Sequence, residues 1–258
     1  MPDKGAIFDM ANWSDPRPSA APVGSSRAGA QGAAYDAGLR SYMLSVYNYM
    51  TSGVLLTGIV ALLFAWGGES SPAAQLMLNG GALRYVIMFA PLAFVFGMSF
   101  GQNRMSTGTL QLMFWGFAVV MGLSLSSIFL VYSGTSIAGA FFATAAGFAA
   151  LSLYGYTTKR DLSAFGTFLI VGVVGLLVAS IINIFVQSSM LGFAISAIGV
   201  LLFAGLTAYD TQRIKSLYDQ VAGSDMMGRV VIMSALSLYL DFINMFLFIL
   251  RLTGGNRN

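Results

Sequence analysis

The fold is decided by a stretch that contains no charged residue, MSTGTLQLMFWGFAVVMGLSLSSIFLVYSGTSIAGAFFATAAGFAALSLYGYTT, residues 105–158. A membrane-spanning helix needs roughly 20 consecutive apolar residues. The stretch is therefore long enough for two spans, and the polar run YSGT at 132–135 marks the turn between them. Residues 162–209 repeat this arrangement without a charge and are divided by QSS at 187–189. Together the two stretches predict four transmembrane helices.

Outside these stretches, apolar runs predict three further spans, at 43–66, 85–102 and 230–250. The whole chain has 57% hydrophobic and only 9% charged residues, whereas soluble domains carry about 25% charged residues. The runs are continuous and long, which excludes an outer-membrane barrel with its short alternating strands. We predict an all-α membrane protein with seven transmembrane helices.

The absence of two residue types limits the chemistry. The chain has no Cys and no His, which excludes disulfides, thiolate nucleophiles and the commonest metal ligand and proton shuttle. Any response to pH near neutrality therefore has to reside on carboxylates. The net charge of +3 does not indicate nucleic acid as a partner, because the basic residues mostly flank apolar spans. We expect no cofactor.

The amino-terminal residues 1–40 differ from the rest, since they are rich in Gly, Ala, Ser and Pro and lack apolar periodicity. We interpret them as a disordered cytoplasmic tail and residues 41–254 as a seven-helix transmembrane domain. With seven spans, ten Lys and Arg residues fall on the side of the amino terminus and three on the other, which predicts a cytoplasmic amino terminus. The ten are Lys4, Arg17, Arg27, Arg40, Arg104, Lys159, Arg160, Arg213, Lys215 and Arg229, and the three are Arg84, Arg251 and Arg257.

Asp241 is a carboxylate that a membrane helix should not contain, about 11 residues inside the seventh predicted span. An ionised Asp near the bilayer centre costs about 2.5–3.5 kcal/mol even on insertion scales, so it has to face protein or water. Ser234, Ser237 and Asn244 share its helix face within an arc of about 80°. This polar face indicates that the seventh helix is central. The alternative is a hydrogen-bonded cluster that only supports packing.

Two more charges are candidates for function. Asp210 is predicted to end the sixth span on the cytoplasmic side, on the same small and polar helix face as Ser196, Gly199 and Thr207. It could instead be an interfacial carboxylate that pairs only with Arg213 or solvent. Arg104 follows the second span, and its alternative role is that of a topology signal.

Two segments resemble a known family, AYDTQRIK at 208–215 and ALSLYLDFINMFLFILRLTG at 235–254. They are similar to the signature of the Bax inhibitor-1 family, the transmembrane Bax-inhibitor-motif proteins with YccA-like bacterial members. TKRDLSAFGTFLIVGVVGLLVASIINIF at 158–185 also resembles that family. The resemblance covers roughly residues 40–254 and implies a multi-pass protein of a bacterial inner membrane.

The resemblance implies a fold in which the last helix is surrounded by the other six, and a pH-sensitive calcium leak. It also implies that Asp210 and Asp241 form the pH sensor, and that Arg104 is a latch on one of them. Two carboxylates in one dry site cannot both ionise cheaply, so the pair would share a proton. When ionised, the pair would offer oxygen ligands to Ca²⁺, with Ser237 and Asn244 as supporting polar groups.

Other classes of function are alternatives to the leak. A regulatory membrane protein that binds a membrane-bound ATP-dependent protease is the main alternative, with the tail 1–40 as its contact. An intramembrane aspartyl protease would need Gly-x-Gly-Asp, whereas Asp241 follows Leu238-Tyr239-Leu240. A retinal protein needs a Lys in its last span and a rhomboid-type protease needs a His, and both are missing. We therefore expect no enzymatic activity.

Overall fold

The computed structural model describes the backbone of residues 23–255 and the side chains of residues 32–255. Helices make up most of this part of the chain, and it contains no β-strand. The helices are α1 (Val23–Phe64), α2 (Pro72–Asn79), α3 (Ala82–Gly101), α4 (Thr107–Leu125), α5 (Ile128–Val131), α6 (Gly134–Thr157), α7 (Ser163–Val186), α8 (Ser189–Val221) and α9 (Met227–Thr253).

Seven segments of the described chain are long and apolar enough to cross a membrane, which confirms the predicted all-α membrane fold. They are Gly32–Phe64 within α1, α3, Thr107–Val131 across α4 and α5, α6, α7, α8 and α9. One boundary differs from the prediction, because α8 continues past Asp210 to Val221. The charges after Asp210 suggested the end of a span, but a helix can continue beyond the apolar region when its polar residues face water.

The described chain begins within the segment predicted as the amino-terminal tail. Residues 23–40 are helical and continue directly into the first span as α1. Ala, Gln and Arg, which occur in this segment, are good helix formers. By packing, residues before Leu39 and those from Leu39 onward form separate units, and the side chains of residues 32–37 are exposed. Residues 1–22 of the predicted tail lie outside the described residues.

Serine side chains define where three of the spans begin. Ser106, Ser133 and Ser188 precede α4, α6 and α8, and each side chain accepts a hydrogen bond from the backbone N–H three residues later, at 3.1–3.2 Å. Such caps satisfy a donor that the first helical turn leaves without a partner. They explain why the polar breaks in the two charge-free stretches become helix starts.

The last helix is the centre of the bundle, as predicted. In the most apolar 18-residue stretch of α9, 67% of the residues are buried, compared with at most 39% in the corresponding stretch of the other spans. α9 packs against α4, α6 and α8, while α8 in turn packs against α6 and α7. Ile232, Leu238 and Tyr239 of α9 are completely buried.

The loops α3–α4, α6–α7 and α8–α9 lie at one end of the bundle, here named the basic end. A hydrogen bond of 3.5 Å from Arg229 to the Asn103 carbonyl oxygen joins the first of these loops to the start of α9. The Lys215 ammonium group donates to the Tyr156 carbonyl oxygen at 2.9 Å, which joins α8 to the end of α6. At the opposite end, the Gly255 N–H bonds the Ser136 hydroxyl at 3.1 Å.

Candidate functional site

The two candidate aspartates lie inside the bundle, where α8 and α9 pack against each other. Asp210 is 7% exposed and Asp241 is 5% exposed. Asp210 lies 11 residues before the end of α8 at Val221, a distance of about 16 Å along the helix at 1.5 Å per residue. Sequence reasoning placed both residues correctly on buried helix faces, although Asp210 lies within its helix and not at the end.

Glycine allows α6 to approach α8 close to Asp210. A Cβ atom on Gly155 would lie 2.2 Å from the Ala208 carbonyl oxygen, so no larger residue fits without moving a backbone. Small residues at such contacts are typical of packed membrane helices. The contact fixes the part of α8 that carries Asp210 against its neighbour.

Ser237 of α9 bonds Asp210 of α8 and lies one helical turn before Asp241. Its hydroxyl group donates a hydrogen bond to the Asp210 carboxylate, and Asp241 follows four residues later on the same helix. Residues four apart are neighbours on a helix face. Arg213 lies one turn beyond Asp210 on α8. The structure thus brings together Asp210, Ser237 and Asp241.

One oxygen of Asp241 is buried without a hydrogen-bond partner among the described residues. An ionised carboxylate in such a place would lose its hydration without compensation, which costs several kcal/mol. This oxygen therefore suits a bound proton or an arriving cation much better than a bare negative charge.

Asn244 and Arg104, the other predicted site residues, make no hydrogen bond or ion pair with either aspartate in the described part of the chain. The Asn244 amide donates to the Leu240 carbonyl oxygen on its own helix at 2.8 Å. Arg104 is exposed in the loop after α3 at the basic end, so a latch onto Asp210 would require movement from this position. The roles of both residues stay predictions.

Sequence reasoning missed a chain of hydroxyl groups that joins α1 to α8. Thr211 donates to the Thr207 carbonyl oxygen at 2.8 Å, so its oxygen is free to accept from Ser152 at 2.9 Å. Ser152 in turn accepts from Tyr47 of α1, also at 2.9 Å. The donors therefore all point from α1 through α6 toward the residue beside Asp210.

A second chain of hydroxyl groups joins α1 to the centre of the bundle. Thr57 donates to the Ala118 carbonyl oxygen at 2.8 Å and accepts from the Tyr239 hydroxyl at 2.7 Å. Polar residues inside apolar spans are a signal for such contacts, but the sequence does not show which helices they join.

The donor set limits how a metal could bind. Within residues 32–255, no group of three acidic side chains is arranged to hold a metal ion, whereas Ca²⁺ takes six to eight oxygen ligands. Two carboxylates and a hydroxyl group are too few for a tight resident site. They suit a cation that passes and completes its shell with water and backbone oxygens.

A family model described as "Inhibitor of apoptosis-promoting Bax1" matches residues 39–258. An uncharacterized protein of Rickettsia prowazekii is 47% identical over 87% of this chain and 93% of its own length. The inner membrane protein YbhL of Escherichia coli is 43% identical over 86% of this chain and 94% of its own length. An uncharacterized membrane protein of Streptococcus pyogenes is 37% identical over 86% and 95% of the two chains.

Proposed function

Because the chain belongs to the Bax inhibitor family of multi-pass membrane proteins, as its sequence motifs predicted, we propose that it is a pH-sensitive calcium leak channel gated by Asp210 and Asp241. The observation that carries the proposal is that Asp210 and Asp241 are both buried where α8 packs on α9, with Asp210 bonded by Ser237, one helical turn before Asp241. A group that served packing alone would not need two ionisable side chains buried between membrane-spanning helices.

The proposed sensor is the pair and not either residue alone. Two carboxylates that interact strongly release their protons in two steps that belong to the pair. One proton shared between Asp210 and Asp241 leaves a single negative charge in the site. Loss of that proton adds a second charge that the buried surroundings do not compensate, so the ionised pair attracts a cation from either end of the bundle.

The direction of the pH response follows from this argument. Below the pH at which the shared proton leaves, the site holds one charge and attracts Ca²⁺ weakly. Above it, the site holds two charges, and repulsion between them favours an arrangement in which an ion separates the carboxylates. Calcium flux is therefore expected to rise with pH between about 6 and 8.

The experiment is calcium flux into proteoliposomes of the purified chain at several pH values in this range. Asp210→Asn, Asp241→Asn and the double variant are compared with wild type. Each single substitution is expected to abolish the pH dependence, and the double variant to add little, because residues that act as a unit are not additive. Asn keeps nearly the same volume, so the fold should survive.

Asp225→Asn is the matched control, since Asp225 is an exposed carboxylate in the α8–α9 loop. It should leave flux and its pH dependence unchanged. Separate, additive shifts from Asp210 and Asp241 would contradict a shared site, and a wild-type protein without calcium flux at any pH would reject the leak itself.

A further inference from the structure

A long cleft follows α1 on the side that faces α6 and α9. Its upper part, nearer Arg40, has a volume of about 690 Å³. Its lower part, nearer Leu62, has a volume of about 480 Å³. Both parts are lined by Val54, Leu55, Phe141 and Phe242, so they form one continuous cleft. The upper part, from Arg40 to Leu55 on α1, is here named the α1 cleft.

The floor of the α1 cleft is aromatic and apolar. Phe242 of α9 contacts Phe141 and Phe148 of α6 edge to face, each with ring centroids 5.6 Å apart. Phe148 is buried, whereas Leu44, Leu55 and Leu153 on the walls are exposed. An open groove with such walls takes a hydrocarbon chain in preference to water.

The end of the α1 cleft at Arg40 is polar and positively charged. The exposed Arg40 side chain lines this end of the cleft, together with Tyr47 and Tyr156. Lys215 lies next to it, with its ammonium group 4.8 Å from the centroid of the Tyr156 ring. Two cations therefore lie at the end of an apolar groove, which is complementary to an anionic head group attached to an acyl chain.

The length of the α1 cleft also fits a lipid. From Arg40 to Leu55 the helix rises by about 22 Å, which corresponds to half of a bilayer of about 40–45 Å including head groups. One leaflet of phospholipid spans the same distance. The upper volume falls in the range of about 300–1,000 Å³ that is usual for pockets that bind small molecules.

We propose that the α1 cleft binds one anionic phospholipid of the bilayer, with its phosphate group at Arg40 and an acyl chain along Phe148 and Phe242. The site adjoins the carboxylate pair, because Phe242, which lines the α1 cleft, directly follows Asp241 on α9. On the other wall, Ser152 bonds Thr211, which follows Asp210. Bound lipid would therefore contact Phe242, which is next to Asp241, and Ser152, which bonds the residue next to Asp210. It is expected to affect the gate, an effect that rests on the proposed function.

The test is native mass spectrometry of the full chain in a nonionic detergent, with added phosphatidylglycerol or with phosphatidylcholine of the same acyl chains. One tightly retained phosphatidylglycerol per chain is expected, and weaker retention of phosphatidylcholine. Arg40→Ala should weaken retention of phosphatidylglycerol about fivefold, which corresponds to the usual effect of one basic residue near an anionic lipid surface. Arg160→Ala removes an exposed cation in the α6–α7 loop and should have no effect.

A second pair of variants tests the apolar part. Ala149 is exposed and lines the α1 cleft, whereas Ala150 is exposed on the same helix outside it. Ala149→Phe should fill the groove and reduce lipid retention, and Ala150→Phe should not. Because both side chains are exposed, neither variant should prevent folding.

Equal retention of the two lipids, or retention that Ala149→Phe leaves intact, would overturn the proposal. Dimers that Ala149→Phe disrupts would show that a second copy occupies the cleft, and would also overturn it. Retention is measured without ion flux, so these outcomes do not depend on the leak. If lipid binds as expected but its removal leaves the pH response of the flux unchanged, the effect on the gate is rejected and the lipid site stands.

Discussion

The Ser237 hydroxyl group donates a hydrogen bond to the Asp210 carboxylate, and this bond joins α9 to α8 at the depth of the carboxylate pair. A donor directed at a carboxylate favours its ionised form over its protonated form. The bond therefore has a part in setting the pH at which the pair loses its shared proton, in addition to its part in packing.

Replacement of Ser237 by Ala should move the pH dependence of calcium flux to higher pH. Without the donor, the ionised form of Asp210 is disfavoured. A hydrogen bond to a charged group contributes about 1.5–3 kcal/mol, so a shift of roughly one to two pH units is expected. Ser237→Thr keeps the hydroxyl group and should keep the wild-type curve. Flux in proteoliposomes measures the shift.

Ser216→Ala serves as the control for this series, because Ser216 is exposed on α8 and bonds only its own helix at the Arg213 carbonyl oxygen. It should leave the curve in place. If Ser237→Ala and Ser237→Thr move the curve equally, the effect comes from packing and not from the donor.

Replacement of Arg104 by Ala should raise basal calcium flux if Arg104 acts as the predicted latch in a closed state. The structure places it exposed at the basic end and apart from Asp210, so the latch would form only after a movement. Arg160→Ala, another exposed arginine at the same end, should leave basal flux unchanged. Equal flux from Arg104→Ala and wild type would leave Arg104 as a topology signal.

The seven spans could be predicted from the sequence because charge is expensive in a membrane and the gaps between charges are visible. The central position of α9 was also predictable, since Asp241 and its polar neighbours share one helix face. The end of α8 was not, because Arg213 and Lys215 suggested an interface whereas the helix continues to Val221. Charges near the end of a span limit the apolar part of a helix but not the helix.

The partners of the site residues could be predicted only in part. Ser237 and Asn244 lie on the same polar face, and the sequence alone cannot decide which one contacts α8. The structure gives that contact to Ser237 and bonds Asn244 to its own helix. For the same reason the hydroxyl chains through Ser152 and Thr57 were missed, since they depend on how three helices are placed side by side.

The orientation in the membrane can be tested with reporter fusions. The carboxyl end of α9 lies next to the α5–α6 turn, where the Ser133 N–H bonds the Gly255 carbonyl oxygen at 3.4 Å, and this is the end opposite to the basic end. A reporter after Asn258 should therefore lie outside the cytoplasm, and one inserted at Lys159 inside it. A cytoplasmic signal from both fusions would contradict seven full spans.

Thr57→Val should destabilise the protein more than Tyr239→Phe, although both remove the same hydrogen bond. In Tyr239→Phe, Thr57 keeps its bond to the Ala118 carbonyl oxygen, and the loss is about 1 kcal/mol. In Thr57→Val, the Tyr239 hydroxyl group, on a completely buried side chain, loses its acceptor, which costs about 1–3 kcal/mol. Thermal unfolding in detergent ranks the two variants.

Thr51→Val is the matched control for that comparison, since Thr51 lies on the same helix and is exposed. It should unfold at nearly the wild-type temperature. If Tyr239→Phe proves as damaging as Thr57→Val, the hydroxyl chain does not have the donor order deduced from the geometry.

Gly155→Ala should both destabilise the protein and disturb the carboxylate pair, because α6 and α8 touch at this point. The new Cβ atom would lie 2.2 Å from the Ala208 carbonyl oxygen, and neither backbone can give way without moving the turn of α8 that carries Asp210. Overpacking of this kind costs about 1–3 kcal/mol.

Gly147→Ala is the matched control on the same helix, since a Cβ atom there meets nothing within 4 Å and Ala favours a helix over Gly by up to about 1 kcal/mol. Thermal unfolding should therefore shift down for Gly155→Ala and stay level or rise for Gly147→Ala, and only the first should change the pH dependence of flux. A Gly155→Ala protein with wild-type stability would show that α6 and α8 do not make this contact in the membrane.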